Sequence, residues 1–262
     1  MTSIRSTNVA GLFYPADPNE LAHQVRSFVD AAASRPTGRV KALVAPHAGY
    51  IYSGPVAGTA FSTLAAMSDT ITRVVLLGPS HRVPFRGLAY SGADAFTTPL
   101  GQVPTDKDGL SMVRDLPFVN QLEAAFDGEH CLEVELPFLQ MQLKAFTLVP
   151  LLAGDADADM VATVLERLWG GDETLIVVSS DLSHYLDYDS ASRIDSNTSR
   201  AVEALRPELI DHRCACGCTP LNGLLTVAKR YGLQAETLDL RNSGDTAGPR
   251  DRVVGYGAYV FH

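Results

Sequence analysis

Three short apolar runs lie within the first 180 residues, and each stops at a residue that breaks or bends a strand. Each run is followed within five residues by a histidine: 42–45 by His47, 73–77 by His81, and 175–179 by His184. Short aliphatic runs bounded by Pro, Gly or Ser are typical of buried strands. Parallel sheets place their binding sites beyond the carboxyl ends of such strands. The pattern therefore predicts that three imidazoles meet at one edge of a sheet.

Helical periodicity begins directly after Asp17. This residue is predicted to cap a helix that has Pro18 in its first position. Apolar residues then recur at helical spacing: Leu21, Val25, Phe28 and Val29. His23 lies off this apolar face and is predicted to be a solvated surface residue. The helix should end in the linker SRPTG at 34–38.

The rest of the chain alternates between helical and extended patterns. Helices are predicted at 56–67 after a tight glycine-rich loop, at 155–169, 191–205 and 221–231, and in a short segment capped by Thr105 or Asp106. Strands are predicted at 146–152, 235–240 and 253–261, with an edge strand or hairpin within 87–98. This alternation predicts a single α/β domain of three layers, α/β/α, covering 1–262. The last two strands have no helix between them, so the central sheet should be mixed.

Composition and charge exclude several classes of function. Hydrophobic residues make up 46% of the chain and charged residues 19%, which is enough for a continuous core. A net charge of −9 argues against a nucleic acid as partner, because no basic cluster could neutralise its phosphates. No apolar stretch is long enough for a membrane span, and the N-terminus lacks the apolar core of a signal peptide. We therefore expect a cytoplasmic protein whose four cysteines are thiols.

The repeated histidines suggest a metal site. Imidazole suits iron, zinc and copper, and thiolate is a softer ligand. His47, His81 and one cysteine would form a three-ligand site with open positions, as a catalytic metal requires. The alternative is that each histidine is an ordinary hydrogen-bonded residue at a strand end. The recurrence of the pattern favours a shared site.

Asp181 and His184 could supply proton transfer beside that site. They are three residues apart and would share a face if a helical turn followed the strand. The carboxylate would then fix the tautomer of the imidazole, and His184 would act as a general base. They could also be outer partners of the metal ligands or further ligands. A third interpretation makes Asp181 a helix N-cap.

Two further clusters carry candidate ligands. The segment Glu129-His130-Cys131-Leu132-Glu133 is predicted to lie on an amphipathic helix, from which His130 could approach the site as a further catalytic group. Glu133 and Glu135 are predicted to be capping or solvated residues. In the segment CACGC, Cys214, Cys216 and Cys218 would face one way in a strand. A turn into a helix would instead lower the pKa of a thiol and favour one thiolate ligand.

Five motifs, in order, resemble the Memo family, whose prokaryotic members are called AmmeMemoRadiSam system protein B. They are APHAGYIYSG, LLGPSH, EHCLEVELPFLQ, VVSSDLSHY and the CG-x-x-P turn. The resemblance extends from GLFYP near the N-terminus to the terminal VVGYGAYVFH. The family is similar in fold to class III extradiol dioxygenases, which are non-haem iron enzymes. This implies one α/β/α domain with a dioxygenase-like site.

The resemblance also implies a ligand set. His47, His81 and Cys216 match the metal ligands of the family, and Asp181 and His184 would line the same pocket. In the dioxygenases the third ligand is a carboxylate, so the thiolate of Cys216 puts ring cleavage in doubt and invites copper or zinc. The turn also differs from the basic CGRHP-like form of animal members, because it has Cys218 and Thr219 in place of the basic residues.

We therefore expect an oxidoreductase that uses O₂ or a related oxidant on an unidentified small molecule. Iron (Fe²⁺) is the expected metal, with copper or zinc as alternatives, and His184, steered by Asp181, would move protons. A second hypothesis is a non-catalytic binding module with a vestigial pocket for a peptide or for partners such as a radical S-adenosylmethionine protein and an AMMECR-domain protein. A third is a zinc-dependent hydrolase.

Overall fold

A computed structural model describes residues 2–32 and 39–262, so the predicted linker at 34–38 lies outside the described residues. Within these ranges the chain forms twelve strands and seven α-helices. The strands are β1 (Ile4–Arg5), β2 (Ala42–Ala45), β3 (Arg73–Pro79), β4 (Leu88–Tyr90), β5 (Ala95–Thr98), β6 (Gly101–Pro104), β7 (Val119–Gln121), β8 (Thr147–Ala153), β9 (Thr174–Ser179), β10 (His184–Leu186), β11 (Ala235–Asn242) and β12 (Val253–Phe261). The helices are α1 (Pro18–Asp30), α2 (Tyr50–Ser62), α3 (Lys107–Ser111), α4 (Leu136–Gln142), α5 (Ala158–Arg167), α6 (Tyr188–Glu203) and α7 (Cys218–Tyr231).

The described strands include a nine-stranded mixed sheet. Its order is β10-β12-β2-β9-β3-β8-β4-β7, and β11 pairs with β12. The central strands β2, β9, β3 and β8 run parallel, whereas β12 and β4 are antiparallel to their neighbours β2 and β8. The prediction of a mixed sheet is confirmed. The segment 87–98 contains strands as predicted, but it is neither an edge strand nor a hairpin, because β4 lies between β8 and β7 while β5 joins a separate three-stranded sheet with β1 and β6.

Helices cover both faces of the sheet. One apolar cluster includes residues of α1, α2 and α4, and the other includes residues of α5, α6 and α7. Strand β2 contributes to both, since Leu43 and Ala45 lie in the first cluster and Ala42 and Val44 in the second. A strand buried on both faces must be apolar at every position, which explains its uninterrupted aliphatic sequence. None of the helices in the described ranges has the length and apolar character needed to cross a membrane.

The predicted start of α1 is confirmed, whereas the predicted start of α2 is wrong. Asp17 caps α1 as predicted, with Oδ1 accepting hydrogen bonds from the N–H groups two and three residues later, and His23 is exposed. Helix α2 begins at Tyr50 rather than near residue 56. The glycines that suggested a loop serve helix packing, because a Cβ on Gly58 would lie 2.6 Å from the backbone carbonyl carbon of Phe28.

The acidic segment at 128–143 also differs from its prediction. His130 precedes the helical residues, since a 3₁₀ turn begins at Glu133 and α4 begins only at Leu136. Glu133 and Glu135 are buried rather than capping or solvated. The carboxylate of Glu133 accepts hydrogen bonds from the N–H groups of residues 8 and 9 and from the hydroxyl of residue 14. These hydrogen bonds satisfy the buried carboxyl group of Glu133, whose burial sequence periodicity could not predict.

Candidate metal centre

His47 and His81 meet beyond the carboxyl ends of β2 and β3, the two strands that flank β9. Strand β9 lies between β2 and β3, so the residues that follow these three strands emerge side by side. One ligand atom each from His47, His81 and Cys216 lies within 4.8 Å of the others. The Nε2 atom of His47 lies 3.3 Å from the Sγ atom of Cys216. The structure therefore brings together two of the strand-end histidines and one cysteine of the CACGC segment.

The ring of His47 is oriented by a buried hydroxyl. Its Nδ1 atom lies 2.7 Å from Oγ of Ser179, the last residue of β9. The same Oγ lies 2.6 Å from the carbonyl oxygen of Cys131 and 2.8 Å from a carboxyl oxygen of Glu135. Because the hydroxyl donates its one proton to one of these oxygens, it accepts the proton on Nδ1 of His47. The lone pair on Nε2 is thereby directed toward Cys216.

The ring of His81 is oriented in the same way by a carboxylate. Glu129 accepts hydrogen bonds from the N–H of His81 at 2.7 Å and from Nδ1 of the same residue at 3.0 Å. Burial opposes ionisation, but these two hydrogen bonds and the one from the N–H of Cys131 lower the pKa of Glu129 to about 2. The carboxylate is therefore ionised at neutral pH, and Nε2 is the free nitrogen of His81.

Cys216 approaches from the turn before α7. Its N–H donates to the carbonyl oxygen of Asp181, and the next residue, Gly217, donates to Oγ of Ser180. The segment is thus a turn into a helix rather than a strand, and Cys218 points elsewhere, with Sγ 3.2 Å from Nδ1 of His212. The prediction that the turn lowers a thiol pKa is wrong for Cys216, because burial raises the pKa of this thiol above its ordinary range.

Asp181 contacts a candidate metal ligand, which is one of the roles predicted for it, and does not orient His184 as the first interpretation required. It is buried in an irregular segment, so it is neither a helix N-cap nor on a helical face with His184. Its Oδ1 accepts the N–H of His47 at 2.8 Å, and burial raises its pKa. The tautomer of His184 is instead fixed by a backbone group, since its Nδ1 lies 2.8 Å from the carbonyl oxygen of Leu182. Asp181 therefore ties together the segments that carry His47 and Cys216.

His130 lies next to the rings of His47 and His81. Its ring is stacked on that of His81 at 5.1 Å and packs against Phe13 at 4.8 Å. The ring centroid of His47 is 5.5 Å away. Burial lowers the pKa of His130 to about 4, so this imidazole is neutral at physiological pH.

A cavity of about 890 Å³ opens beside the centre. His81, Cys216, His184 and His212 are among the residues that line it. Its walls are more apolar than polar, as is usual for pockets that take small molecules. His184 is thus the candidate proton-transfer residue that faces this space, with Nε2 as its free nitrogen.

The donor set fits a transition metal. Imidazole nitrogen and thiolate sulfur are ligands for iron, copper and zinc. In metal sites the far nitrogen of a ligating histidine is almost always held by an oxygen, and both His47 and His81 meet this condition. Cys216 would lose its proton on metal binding. The sequence signal for Ser179 is the single hydroxyl at the end of the otherwise aliphatic run 175–179.

A buried carboxylate behind His184 gives the protein a pH-dependent stability. Asp195 accepts the N–H of Ser183 at 3.0 Å, and its Oδ2 atom has no hydrogen-bond partner among the described residues. Burial raises the pKa of Asp195 from 3.8 to about 6. A raised pKa of an acid means that folding disfavours the ionised form. Stability is therefore lost as pH rises from about 4 to about 6 and is not regained above that range.

We expect Asp195→Asn to stabilise the protein at pH 8 but not at pH 4. The amide keeps an acceptor for Ser183 and removes a buried charge, which corresponds to about 2–3 kcal/mol. Urea unfolding at both pH values measures the difference. An equal change in the free energy of unfolding at pH 4 and pH 8 would contradict the explanation.

Comparison with known proteins assigns the family. The family model described as "Memo-like protein" matches residues 5–260. A MEMO1 family protein of Aquifex aeolicus is 33% identical, covering 98% of this chain and 99% of the relative. Another from Methanopyrus kandleri is 33% identical with 98% coverage of each, and one from Archaeoglobus fulgidus is 34% identical, covering 98% of this chain and 99% of the relative. With matches of this extent to the family model and to curated members, the chain belongs to the Memo family.

Proposed function

We propose that this chain is a metal-dependent redox protein that oxidises a small molecule, with iron (Fe²⁺) or copper held by His47, His81 and Cys216. The observation that carries the proposal is the convergence of these three ligand atoms within 4.8 Å of one another. The anchoring of each imidazole through its far nitrogen supports it further. The likeness of the family to class III extradiol dioxygenases belongs to the same proposal.

The residues of the chain have distinct roles in this proposal. The metal, when bound, supplies redox chemistry and open coordination positions for the small molecule and an oxidant. Ser179 and Glu129 hold the imidazoles of His47 and His81 in place. His184 accepts or donates a proton through Nε2 at the cavity wall, because Nδ1 is engaged with a backbone carbonyl. Cys216 stands where the dioxygenases have a carboxylate, and this is why copper remains a candidate beside iron.

Metal analysis followed by oxygen-uptake measurements tests the proposal. The protein is purified without chelators, its metals are quantified by mass spectrometry, and O₂ consumption is followed after iron or copper is restored in the presence of candidate small molecules. We expect about one redox-active metal per chain and O₂ uptake that depends on it. Zinc alone, with ester or amide cleavage and no O₂ uptake, would instead identify a hydrolase. Absence of any stoichiometric metal would overturn the proposal.

We expect Ser179→Ala to weaken metal binding while leaving the fold intact. Loss of the hydroxyl frees the ring of His47, and removal of such outer partners typically costs about 10- to 100-fold in metal affinity. Ser199→Ala is the matched control, because it also removes a buried hydroxyl, 2.7 Å from the hydroxyl of Tyr259. Titration with Fe²⁺ under anaerobic conditions measures the affinities. Equal affinities in the two variants would show that the hydroxyl does not position the ligand.

A further inference from the structure

Three consecutive residues of β10 line the cavity, which a regular strand does not allow. His184, Tyr185 and Leu186 all contribute to its wall. In a regular strand, successive side chains point to opposite faces. The register of β10 with β12 shifts between His184 and Leu186, so Tyr185 occupies a β-bulge. Bulges commonly redirect a side chain next to a functional site.

The bulge places Tyr185 in a strained backbone conformation. Its φ is +60°, in the left-handed region that a bulky side chain rarely adopts. Within 2–32 and 39–262, the one other non-glycine residue with positive φ is Leu205. It lies just after α6, where the N–H of Arg206 donates a hydrogen bond to the carbonyl of Ala201. A left-handed residue is usual at a helix end. Tyr185 has no such local explanation, and strain of this kind collects at functional sites.

The ring of Tyr185 remains open despite this strain. The residue is 62% exposed. The guanidinium of Arg252 lies over the ring at 4.5 Å, and the ring of His184 stands nearly perpendicular to it at 5.7 Å. The ring is held at the cavity wall beside the candidate proton-transfer residue, with much of its surface free for contact.

We propose that Tyr185 is a ligand-contacting residue that sets the specificity of the cavity by packing against a flat, unsaturated part of the small molecule. This inference rests on the proposed function, because it assumes that the molecule binds beside a metal held by His47, His81 and Cys216. The strained backbone conformation of Tyr185 places its ring on the same wall of the cavity as His184. The contact adds aromatic packing to the polar interactions near the metal.

Binding of two probes to the metal-loaded protein tests the inference. 4-Nitrocatechol is flat and chelates metals, whereas azide binds metals but has no aromatic ring to pack against Tyr185. The variants are Tyr185→Asn, which tolerates positive φ but removes the ring, and Tyr185→Phe, which keeps it. Tyr231→Asn is the control, because it removes an exposed tyrosine that stacks on Trp169 outside the cavity lining.

We expect Tyr185→Asn to bind 4-nitrocatechol about threefold to tenfold more weakly than wild type, since aromatic packing has this magnitude. Tyr185→Phe and Tyr231→Asn should bind it like wild type, and azide affinity should be unchanged throughout. Unchanged 4-nitrocatechol affinity in Tyr185→Asn, or no binding of this probe to the metal-loaded wild type, would overturn the inference. Failure of the wild type to bind metal at all would be seen first, in the metal analysis, and would overturn the proposed function instead.

Thermal unfolding of Tyr185→Gly gives a second, independent test. Glycine adopts positive φ freely, so relief of strain should leave the midpoint of unfolding equal to or above that of wild type. A midpoint lowered by more than about 4 °C, roughly 1–2 kcal/mol in a chain of this size, would mean that the ring is required for folding. That result would overturn the inference that the strain serves ligand contact.

Discussion

Cys216→Ser is expected to lose stoichiometric metal while retaining the fold. Among the described residues, Cys216 carries the one sulfur that lies within 4.8 Å of ligand atoms of two histidines, and serine replaces it with a hydroxyl that is a poor ligand for iron, copper or zinc. Loss of outer partners costs about 10- to 100-fold in affinity, so loss of a ligand should exceed about 100-fold. His47→Ala should have the same result. Metal content after purification and a titration with Fe²⁺ measure both variants.

The other cysteines of the same segment provide matched controls. Cys214 lies outside the group of converging ligand atoms, and Cys218 is turned toward His212. Serine at either position should leave metal content near one ion per chain. Circular dichroism and thermal unfolding establish that every variant is folded. Full metal occupancy in Cys216→Ser or His47→Ala would refute the assignment of the centre.

Gly217→Ala is expected to destabilise the protein and to weaken metal binding together. A Cβ at this position would lie 2.6 Å from Cβ of Ser180 and 2.8 Å from the carbonyl oxygen of Ser179. Neither atom can move unless the backbone moves, because the carbonyl is a backbone group and Cβ is bonded directly to the Cα atom. The turn that carries Cys216 must therefore shift away from the strand. Overpacking of this kind costs about 1–3 kcal/mol, and we expect the upper part of that range.

Urea unfolding and Fe²⁺ titration of the same variant measure the two effects. Gly171→Ala is the control, because a Cβ there would approach only the flexible carboxylate end of Glu173. It should change neither the free energy of unfolding nor the metal affinity appreciably. If Gly217→Ala is as stable as wild type and binds metal equally well, the close approach of the turn to β9 does not position Cys216.

Much of the fold could be predicted from local pattern. The aliphatic run before His47 is buried on both faces of the sheet, and the N-cap at Asp17 lies where the sequence indicated. Helix α2 was predicted to begin six residues too late, because glycines required by its packing against α1 resemble the glycines of a loop. Local sequence pattern indicates which secondary structure a segment favours. It does not indicate which other segment will pack against that one.

The candidate site, like the fold, could be predicted only in part from the sequence. Histidines after β2 and β3 could be expected to converge, because parallel strands deliver their following residues to one edge. Residue spacing alone did not choose among the three cysteines of CACGC, and it suggested that Asp181 orients His184. In the structure, Asp181 instead accepts a hydrogen bond from the backbone N–H of His47. The tautomer of His184 is fixed by a backbone carbonyl.

The alternation of strands and helices, the histidines at strand ends and the resemblance to the Memo family are all apparent from the amino-acid sequence. The three-dimensional arrangement adds that Ser179 and Glu129 hold the rings of His47 and His81 and that a bulge turns Tyr185 toward the cavity. The cause of this difference is distance along the chain. Ser179 is 132 positions from His47, and contacts of that span depend on the order of strands in the sheet rather than on local periodicity.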